Sequence, residues 1–275
     1  MKGEPGYGRE GTAGNRSERT GGDAVQLTSR KSFYIRSIGS NPVIVGKAVK
    51  WLFENLRGIG FIAVDQYSVL DTDIALVLGE HVIKSLKELG SVSVEGNQIS
   101  LVTMRKLIYD AKNSPLVAFF PSRKFLDELD SIPNISAMLV VPWNLPDLGQ
   151  WIRTWNATEL GQEEKSEEPL VRSRIVEEAL KSLTNMVNVS TGIGHSMDRS
   201  AAIQMFEILL NAGEVFTPYE VKAYLTAKCG WKATHAQEVS DVAARILEGR
   251  KLKSSPVWAE DILGQWRRRA RSADS

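Results

Sequence analysis

The sequence predicts an α/β domain with a mostly parallel, Rossmann-like sheet, followed by an all-helical C-terminal domain. The stretch Pro115–Trp143 contains two apolar runs that flank a short polar-faced segment, and Gly58–Asp65 forms a third apolar run. Continuous hydrophobic strands joined by helices are typical of a parallel sheet that is covered on both faces. After Glu168 the pattern changes to successive amphipathic helices. These observations predict the two-part fold.

The composition of the chain divides it into five segments. Residues 1–30 contain hardly any large apolar residue, so we expect a disordered tail there. The α/β domain is expected at 33–160 and the helical domain at 169–266. Between them, 161–168 forms a charged linker, and 267–275 forms a basic tail.

Hydrophobic spacing and turn residues give the elements of the α/β domain. In chain order we expect an edge strand at 33–35, a helix at 42–56, strands at 58–65, 115–120 and 135–141, a long helix at 74–89, a hairpin at 91–102, a helix at 122–130 and a helix from 146. The second half of the hairpin alternatively begins a helix that carries Leu107, Ile108 and Ala111. We favour that helix slightly over the second strand.

The helical domain shows helical periodicity at 169–187, 199–212, 217–229 and 234–248, with an amphipathic turn at 258–266. Thr217, Pro218 and Glu220 form the signature of a capping box. The helix lengths allow a helix-turn-helix-like bundle. Several acidic side chains on the third of its helices argue against insertion into a DNA groove, namely Glu238, Asp241 and Glu248.

Composition excludes several functional classes. The formal net charge of +1 excludes a broad electrostatic attraction to nucleic acid or acidic lipid. The single cysteine, Cys229, excludes an internal disulfide and a multi-cysteine metal site. No run approaches the roughly 18 apolar residues of a membrane span, and no signal core is present, so we expect a cytoplasmic protein without membrane contact. No dinucleotide fingerprint or P-loop motif occurs, so no cofactor is indicated.

The ends of the predicted parallel strands are candidate ligand sites. In an open sheet, ligands bind beyond the carboxyl ends of the strands. Ser122, Arg123 and Lys124 follow one such strand and offer a hydroxyl, a helix N-terminus and two cations to an anion. Alternatively, Ser122 caps the helix and the two cations are solvated. His195 lies in a glycine-bearing loop before a helix and is a candidate acid or base, or an incidental residue of a capping loop.

The acidic residues Asp65, Asp71 and Asp73 are the alternative catalytic candidates. Carboxylates at a strand end hold a divalent metal such as Mg²⁺, which activates water for phosphodiester cleavage. The segment 69–74 resembles the opening of a PIN-type nuclease, but the later strand-end carboxylates of that family are missing. The competing interpretation is that Asp71 caps the following helix and Asp73 stabilises its N-terminus.

Two further groups are candidate contact surfaces. Basic residues near the C-terminus are candidates for contacts with nucleic-acid phosphates, namely Arg250, Lys251, Lys253, Arg267, Arg268, Arg269 and Arg271. A solubilising basic tail is the equal alternative. Trp151 and Trp155 lie four residues apart on one helix and are candidates for partner binding or for core packing.

These residues favour a non-catalytic regulatory or adaptor protein. Its helical domain and basic tail would bind a protein or nucleic-acid partner, and a homo-oligomer is possible. The motivating observation is that no convergent set of nucleophile, base and metal ligands is found in the sequence. The alternative is a metal-dependent nuclease or other nucleotide-acting enzyme that uses the strand-end carboxylates.

Overall fold

A computed structural model describes residues 30–163 and 166–272 of the chain. The expected disordered tail therefore lies outside the described residues, apart from Arg30. The same holds for residues 164–165 of the expected linker and for residues 273–275. No helix in the described ranges is both long enough and apolar enough to cross a membrane.

The α/β domain contains a seven-stranded sheet. Its elements are β1 Lys31–Tyr34, α1 Pro42–Asn55, β2 Ile59–Ala63, a 3₁₀ helix at Tyr67–Asp71, α2 Asp73–Leu78, α3 Glu80–Leu89, β3 Ser91–Val94, β4 Asn97–Val102, β5 Ser114–Phe119, α4 Arg123–Asp130, β6 Ile135–Val141, α5 Leu145–Thr154 and β7 Thr158–Glu159. The helical domain follows, with α6 Arg174–Met186, α7 Ser196–Asn211, α8 Pro218–Ala227, α9 Ala233–Leu247 and α10 Ile262–Ser272.

The sheet is parallel except at one edge. Its strand order is β3-β4-β2-β5-β6-β1-β7, and only the β3–β4 pair is antiparallel. Phe61 of β2 lies opposite Leu116 of β5, and Leu116 lies opposite Met138 of β6. The three apolar runs of the sequence are therefore neighbouring strands, which confirms the mostly parallel sheet.

Helices cover both faces of this sheet. Ile62, Val117 and Leu139 are buried in a core with α1, α2 and α3. Their chain neighbours Phe61, Leu116 and Met138 are buried in a second core with α4 and α5. Alternate side chains of a strand point to opposite faces, so burial on both sides explains the continuous apolar runs.

Strand β1 and the expected long helix differ from the sequence expectation. Strand β1 is not at the edge, because the two-residue strand β7 pairs along its outer side. The expected long helix is broken between α2 and α3 at Gly79, whose φ of 82° cannot continue a right-handed helix.

The hairpin expected at 91–102 is present in full. Glu95 and Gly96 both have positive φ, and Val92 lies opposite Ile99. Positive φ at both central residues is what a type I′ hairpin turn requires. The chain therefore reverses at this turn and continues as strand β4. The favoured helix through Leu107 was therefore wrong, and the described chain from 103 to 113 contains no helix.

The helical domain has a core of its own, and α10 packs against α6. The fully buried Trp266 donates its indole Nε1–H to Ser182 Oγ at 3.0 Å. The helix continues through Ser272, so Arg267–Arg271 are helical rather than part of a tail. At α8, Thr217 and Glu220 form the capping box that the sequence predicts.

The two domains are in contact through α4, α5, α8 and α9. Lys222 of α8 donates to Asp127 of α4 at 2.8 and 3.0 Å, and both side chains are largely buried. The hydroxyl of Tyr219 donates to the carbonyl of Gln150 at 2.8 Å. Helix α9 contacts α4, α7 and α8, and Ala233 in its first turn is buried. One side of the start of this helix is therefore buried, whereas Lys232 and Thr234 are exposed.

Candidate functional site

The structure brings together the strand ends nominated from the sequence. The carboxylate of Asp65, after β2, accepts from the backbone N–H of Ser122, after β5, at 3.0 Å. The rings of Phe120 and Trp143, after β5 and β6, meet edge to face with their centroids 5.5 Å apart. Trp143 is 59% exposed. The carboxyl edge of the sheet is therefore one continuous surface.

The polar groups of this edge bond mainly to each other. Ser122 Oγ accepts from the N–H of Phe125 at 3.2 Å, so Ser122 caps α4. Ser37 Oγ donates to the carbonyl of Pro142 at 2.7 Å. Arg123 and Lys124 are exposed. Their binding of an anion, together with Ser122, stays a prediction.

The three acidic candidates contact different partners. Asp65 accepts from Ser122, Asp71 is paired with Lys87, and Asp73 accepts from Ser40 Oγ. Asp73 lies in the first turn of α2, whose N-cap is Thr72, so Asp71 does not cap it. Over the described ranges, no group of three or more His, Cys, Asp or Glu residues is arranged to hold a metal ion. The arrangement thus offers no support for the nuclease alternative.

His195 is the exposed N-cap residue of α7, and its side chain makes no capping hydrogen bond. In the loop before it, Gly192 has a φ of 61° and packs against His235. A Cβ at Gly192 would lie 2.9 Å from His235 Cβ, so only glycine fits there. His195 lies in the helical domain, apart from the Ser122 group in the α/β domain, and its proposed acid or base role stays a prediction.

Trp151 and Trp155 surround an internal ion pair. Both indoles donate to the carboxylate of Asp130, at 3.1 and 3.0 Å. Arg30 donates to the same carboxylate at 2.6 Å, and its guanidinium lies 3.9 Å from the ring centroid of Trp155. Trp151 is only 7% exposed. These contacts occupy Trp151 within the chain and leave it little surface for a partner.

A cleft of about 760 Å³ lies between the two domains, and no sequence pattern indicated it. We call it the interdomain cleft. The α/β domain contributes the end of α4 with its following loop, and Trp155. The helical domain contributes part of α6 and the α8–α9 turn, including Lys181, Thr184, Asn185, Thr226, Lys228, Cys229 and Lys232. No periodicity could predict it, because it depends on how two separately predicted domains dock.

Burial changes the acidity of two groups near this boundary. Desolvation raises the pKa of Cys229 from 9.0 to about 11, so its thiol is protonated at neutral pH. Burial also raises the pKa of Tyr219, whose hydroxyl lies 3.2 Å from Thr154 Oγ1. Neither group is therefore a ready nucleophile or base at neutral pH.

A second cavity of about 380 Å³ lies where α10 meets the N-terminus of α6. Its lining residues, Ser173, Arg174, Ile175, Arg267, Ala270 and Arg271, define what we call the arginine groove. Ser173 caps α6 by accepting from the N–H groups of Ile175 and Val176. Arg267 and Arg271 are exposed and, within the described ranges, make no hydrogen bond or ion pair.

The other basic candidates have partners or lie elsewhere. Arg268 pairs with Asp261 at 3.5 Å, and Arg269 donates to Ser182 Oγ at 3.2 Å. Arg250 pairs with Glu248 at 2.9 Å, and the neighbouring Lys251 and Lys253 are exposed in the loop after α9. The structure therefore separates Arg267 and Arg271 from the rest of the basic set.

Part of the helical domain is similar to a known family model. Residues 172–267 match a family model described as a domain of unknown function, DUF1889. The matched segment covers about a third of the chain and lies within the helical domain. No curated protein and no solved structure matches the chain.

Proposed function

We propose that this is a cytoplasmic, non-catalytic regulatory or adaptor protein whose helical domain binds the phosphate backbone of double-stranded nucleic acid. The arginine groove is the proposed contact. The observation that carries the proposal is that Arg267 and Arg271, both exposed and without a hydrogen bond or ion pair in the described ranges, line one open groove. Arginine is well suited to phosphate, because its planar donor fork matches two phosphate oxygens.

The placement of these arginines favours an anion. Arg267 and Arg271 are four residues apart, so they lie on the same face of α10. Arg174 is the first residue of α6, whose N-terminus carries a partial positive charge. Glu214 accepts from the capping hydroxyl of Ser173 at 2.6 Å, and Glu177 lies close enough to Arg174 to interact with it electrostatically. Arg267 and Arg271 are therefore the cations of the groove that are left for phosphate.

The proposed binding is backbone contact without sequence recognition. A recognition helix would have to enter the major groove, but α9 packs against α4, α7 and α8, and its exposed side carries Glu238, Asp241 and Glu248. Contacts to phosphate position a protein on a duplex and carry no direct sequence information. We therefore expect strongly salt-dependent affinity with little preference among sequences.

The Rossmann-like character of the first domain also stays a proposal. Helices cover both faces of its sheet, as in that class. The strand order β3-β4-β2-β5-β6-β1-β7 nevertheless differs from the usual order of dinucleotide-binding sheets. Fold alone would not supply an activity in any case.

The test is the affinity of the full chain for a mixed-sequence DNA duplex, measured by fluorescence anisotropy at about 50 and 200 mM salt. Replacing Arg267 and Arg271 by glutamine removes two phosphate contacts. We expect affinity to fall at least about tenfold at the lower salt concentration, and the salt slope to decrease by about 2.

A matched control makes the same change in net charge elsewhere. Arg57→Gln with Arg105→Gln neutralises two exposed arginines of the α/β domain. We expect this control to bind as the unchanged protein does. Absence of duplex binding at the lower salt concentration, or equal losses in both double variants, would contradict the proposal. Binding of a protein partner alone would contradict it as well.

A further inference from the structure

We propose that the interdomain cleft binds a small anion that carries a planar ring, of the size of a nucleoside monophosphate. This site is separate from the arginine groove and does not depend on the proposed binding of nucleic acid. It also lies apart from the carboxyl edge of the sheet, where the sequence had placed the ligand.

The size and position of the cleft suit a small ligand. Its volume of about 760 Å³ falls within the range of roughly 300–1,000 Å³ that is usual for small-molecule sites. Such sites occur preferentially between domains. Here both domains supply lining residues, and the Lys222–Asp127 ion pair holds them together nearby.

An unpaired hydroxyl lines this space. Thr226 is only 5% exposed, and its Oγ1 is a buried side-chain atom without a hydrogen-bond partner in the described chain. Thr226 also lines a smaller cavity of about 40 Å³ beside Asp127 and Lys222. A buried hydroxyl without a partner costs about 1–3 kcal/mol. The Oγ1 atom has almost no accessible surface, so a ligand atom that reaches it through a small shift of the cleft lining recovers that free energy.

The charged groups of the lining favour an anion. Lys181, Lys228 and Lys232 contribute three ammonium groups, and Asp130 contributes the one carboxylate. That carboxylate is already bonded to Arg30 and to two indoles. Lys181 and Lys228 are paired with Glu178 and Glu167, whereas Lys232 makes no hydrogen bond or ion pair within the described ranges. Glu177 also interacts electrostatically with Lys181 and Lys228, so Lys232 is the cation that the cleft keeps for a ligand.

An aromatic ring completes the proposed site. Trp155 is half-buried and lines the cleft, and its indole N–H and the nearby Arg30 fix its orientation. Arg30 covers one face of this ring, so the other face is the one left for stacking, and it is held in place at little cost in conformational entropy. Stacking combined with ammonium groups recognises a ring-bearing anion better than either group alone.

The experiment is titration calorimetry of the full chain with AMP, GMP, CMP and UMP, with adenosine and inorganic phosphate as partial ligands. We expect at least one nucleotide to bind at millimolar concentration or below, and at least about tenfold more tightly than adenosine or phosphate. If none of the four nucleotides binds, the proposal is overturned. Equal binding of adenosine, or of phosphate, overturns it too, because the anion or the ring would then contribute nothing.

Variants locate the binding within the cleft. Thr226→Val keeps the shape of the side chain but removes the hydroxyl, so we expect an unchanged or higher Tm together with nucleotide affinity about threefold to tenfold weaker. Lys232→Gln should weaken the nucleotide by a similar factor, whereas Lys251→Gln, in the exposed loop after α9, should not. Full affinity in both cleft variants would overturn the proposal.

These outcomes are distinguishable from those for the arginine groove. Arg267→Gln with Arg271→Gln changes no residue of the cleft, so it should leave nucleotide affinity unchanged. Loss of nucleotide binding in that variant, with the cleft variants unaffected, would place the ligand in the groove and overturn the cleft as its site.

Discussion

The carboxyl edge of the sheet and the interdomain cleft are both lined by polar side chains, but these side chains bond differently. At the edge, Asp65 accepts from Ser122, and Ser37 donates to Pro142. In the cleft, Thr226 Oγ1 has no partner within the described chain, and neither has the ammonium group of Lys232. The edge follows the general topology of ligand sites in open sheets, whereas the cleft keeps the donors that a ligand requires.

This difference has a physical origin in how each region forms. Loops at the carboxyl edge are short, and they belong to one sheet, so their polar groups can satisfy one another during folding of a single domain. The cleft forms only when two domains dock, and the docking contacts themselves use Lys222, Asp127 and Tyr219. Beside those contacts, Lys232 is left exposed and Thr226 Oγ1 is left buried without a partner in the described chain. Which region can bind a ligand is therefore decided by hydrogen bonding within the protein rather than by its position in the sheet.

The largest expected effect is at the internal ion pair that borders the cleft. Asp130→Ala removes the acceptor of Arg30, Trp151 and Trp155 and leaves the buried guanidinium without a counter-charge. We expect the free energy of unfolding to fall by about 3–5 kcal/mol, measured by urea denaturation. Asp147→Ala changes an exposed carboxylate on the neighbouring helix and should cost less than about 1 kcal/mol. Equal losses of unfolding free energy in the two variants would show that the ion pair does not stabilise the fold.

The docking contact between the domains should show a smaller effect. Lys222→Met leaves Asp127 without its partner, and we expect a loss of about 2–3 kcal/mol. This is below the value for a fully buried pair, because both side chains keep some contact with solvent. Lys50→Met is the matched control, since Lys50 forms an exposed pair with Glu54. A loss no larger than that of the control would contradict a docked arrangement of the two domains.

The alkylation rate of Cys229 measures how far its thiol in the cleft lining is buried. Its pKa of about 11, against 9.0 for an ordinary thiol, reduces the thiolate fraction at neutral pH about 100-fold. The greater nucleophilicity of a more basic thiolate offsets part of this, so alkylation should be at least about tenfold slower than for free cysteine. The rate should rise with pH without reaching a plateau below pH 10, because the thiol is still mostly protonated there.

Iodoacetamide labelling followed by mass spectrometry gives this rate, since the chain contains a single cysteine. The Lys222→Met variant provides the comparison, as loosening of the domain contact should accelerate labelling. Rapid labelling of the unchanged protein at neutral pH, equal to that of free cysteine, would show that burial does not suppress the thiolate of Cys229.

The smallest effect is expected at the carboxyl edge. Asp65→Ala removes one hydrogen bond to the N–H of Ser122, which is exposed, so water can replace the carboxylate. We expect a loss of about 0.5–1.5 kcal/mol and no change in nucleotide affinity. Glu54→Ala on the exposed face of α1 serves as the control for loss of a carboxylate. A fall in nucleotide affinity in the Asp65 variant would show that the ligand binds at this edge rather than in the interdomain cleft.

The sequence predicted the framework better than the functional surfaces. Continuous apolar runs near residues 60, 117 and 138 identified three neighbouring strands, because burial on both faces removes the alternation of other sheets. Thr217 and Glu220 located the start of α8, because a capping box is a local interaction. The break at Gly79 was missed, since a single glycine is also tolerated within a helix.

The candidate sites were harder to predict, because they depend on distant residues. Asp65 and Ser122 were both nominated, and they meet, but each serves as the other's partner. Trp151 and Trp155 were identified as an aromatic pair, yet only the fold brings Asp130 and Arg30 to them. Nothing in the sequence singled out Thr226, whose significance comes entirely from the absence of a partner in the described structure.

Hydrogen–deuterium exchange of the full chain, with and without a DNA duplex at low salt, tests most directly whether the helical domain carries the contact surface. We expect slower exchange at residues 262–272 and in the first turn of α6, with no change at the segments 36–41, 65–72 and 120–124 of the carboxyl edge. Slower exchange confined to those segments, with α10 unaffected, would contradict this expectation.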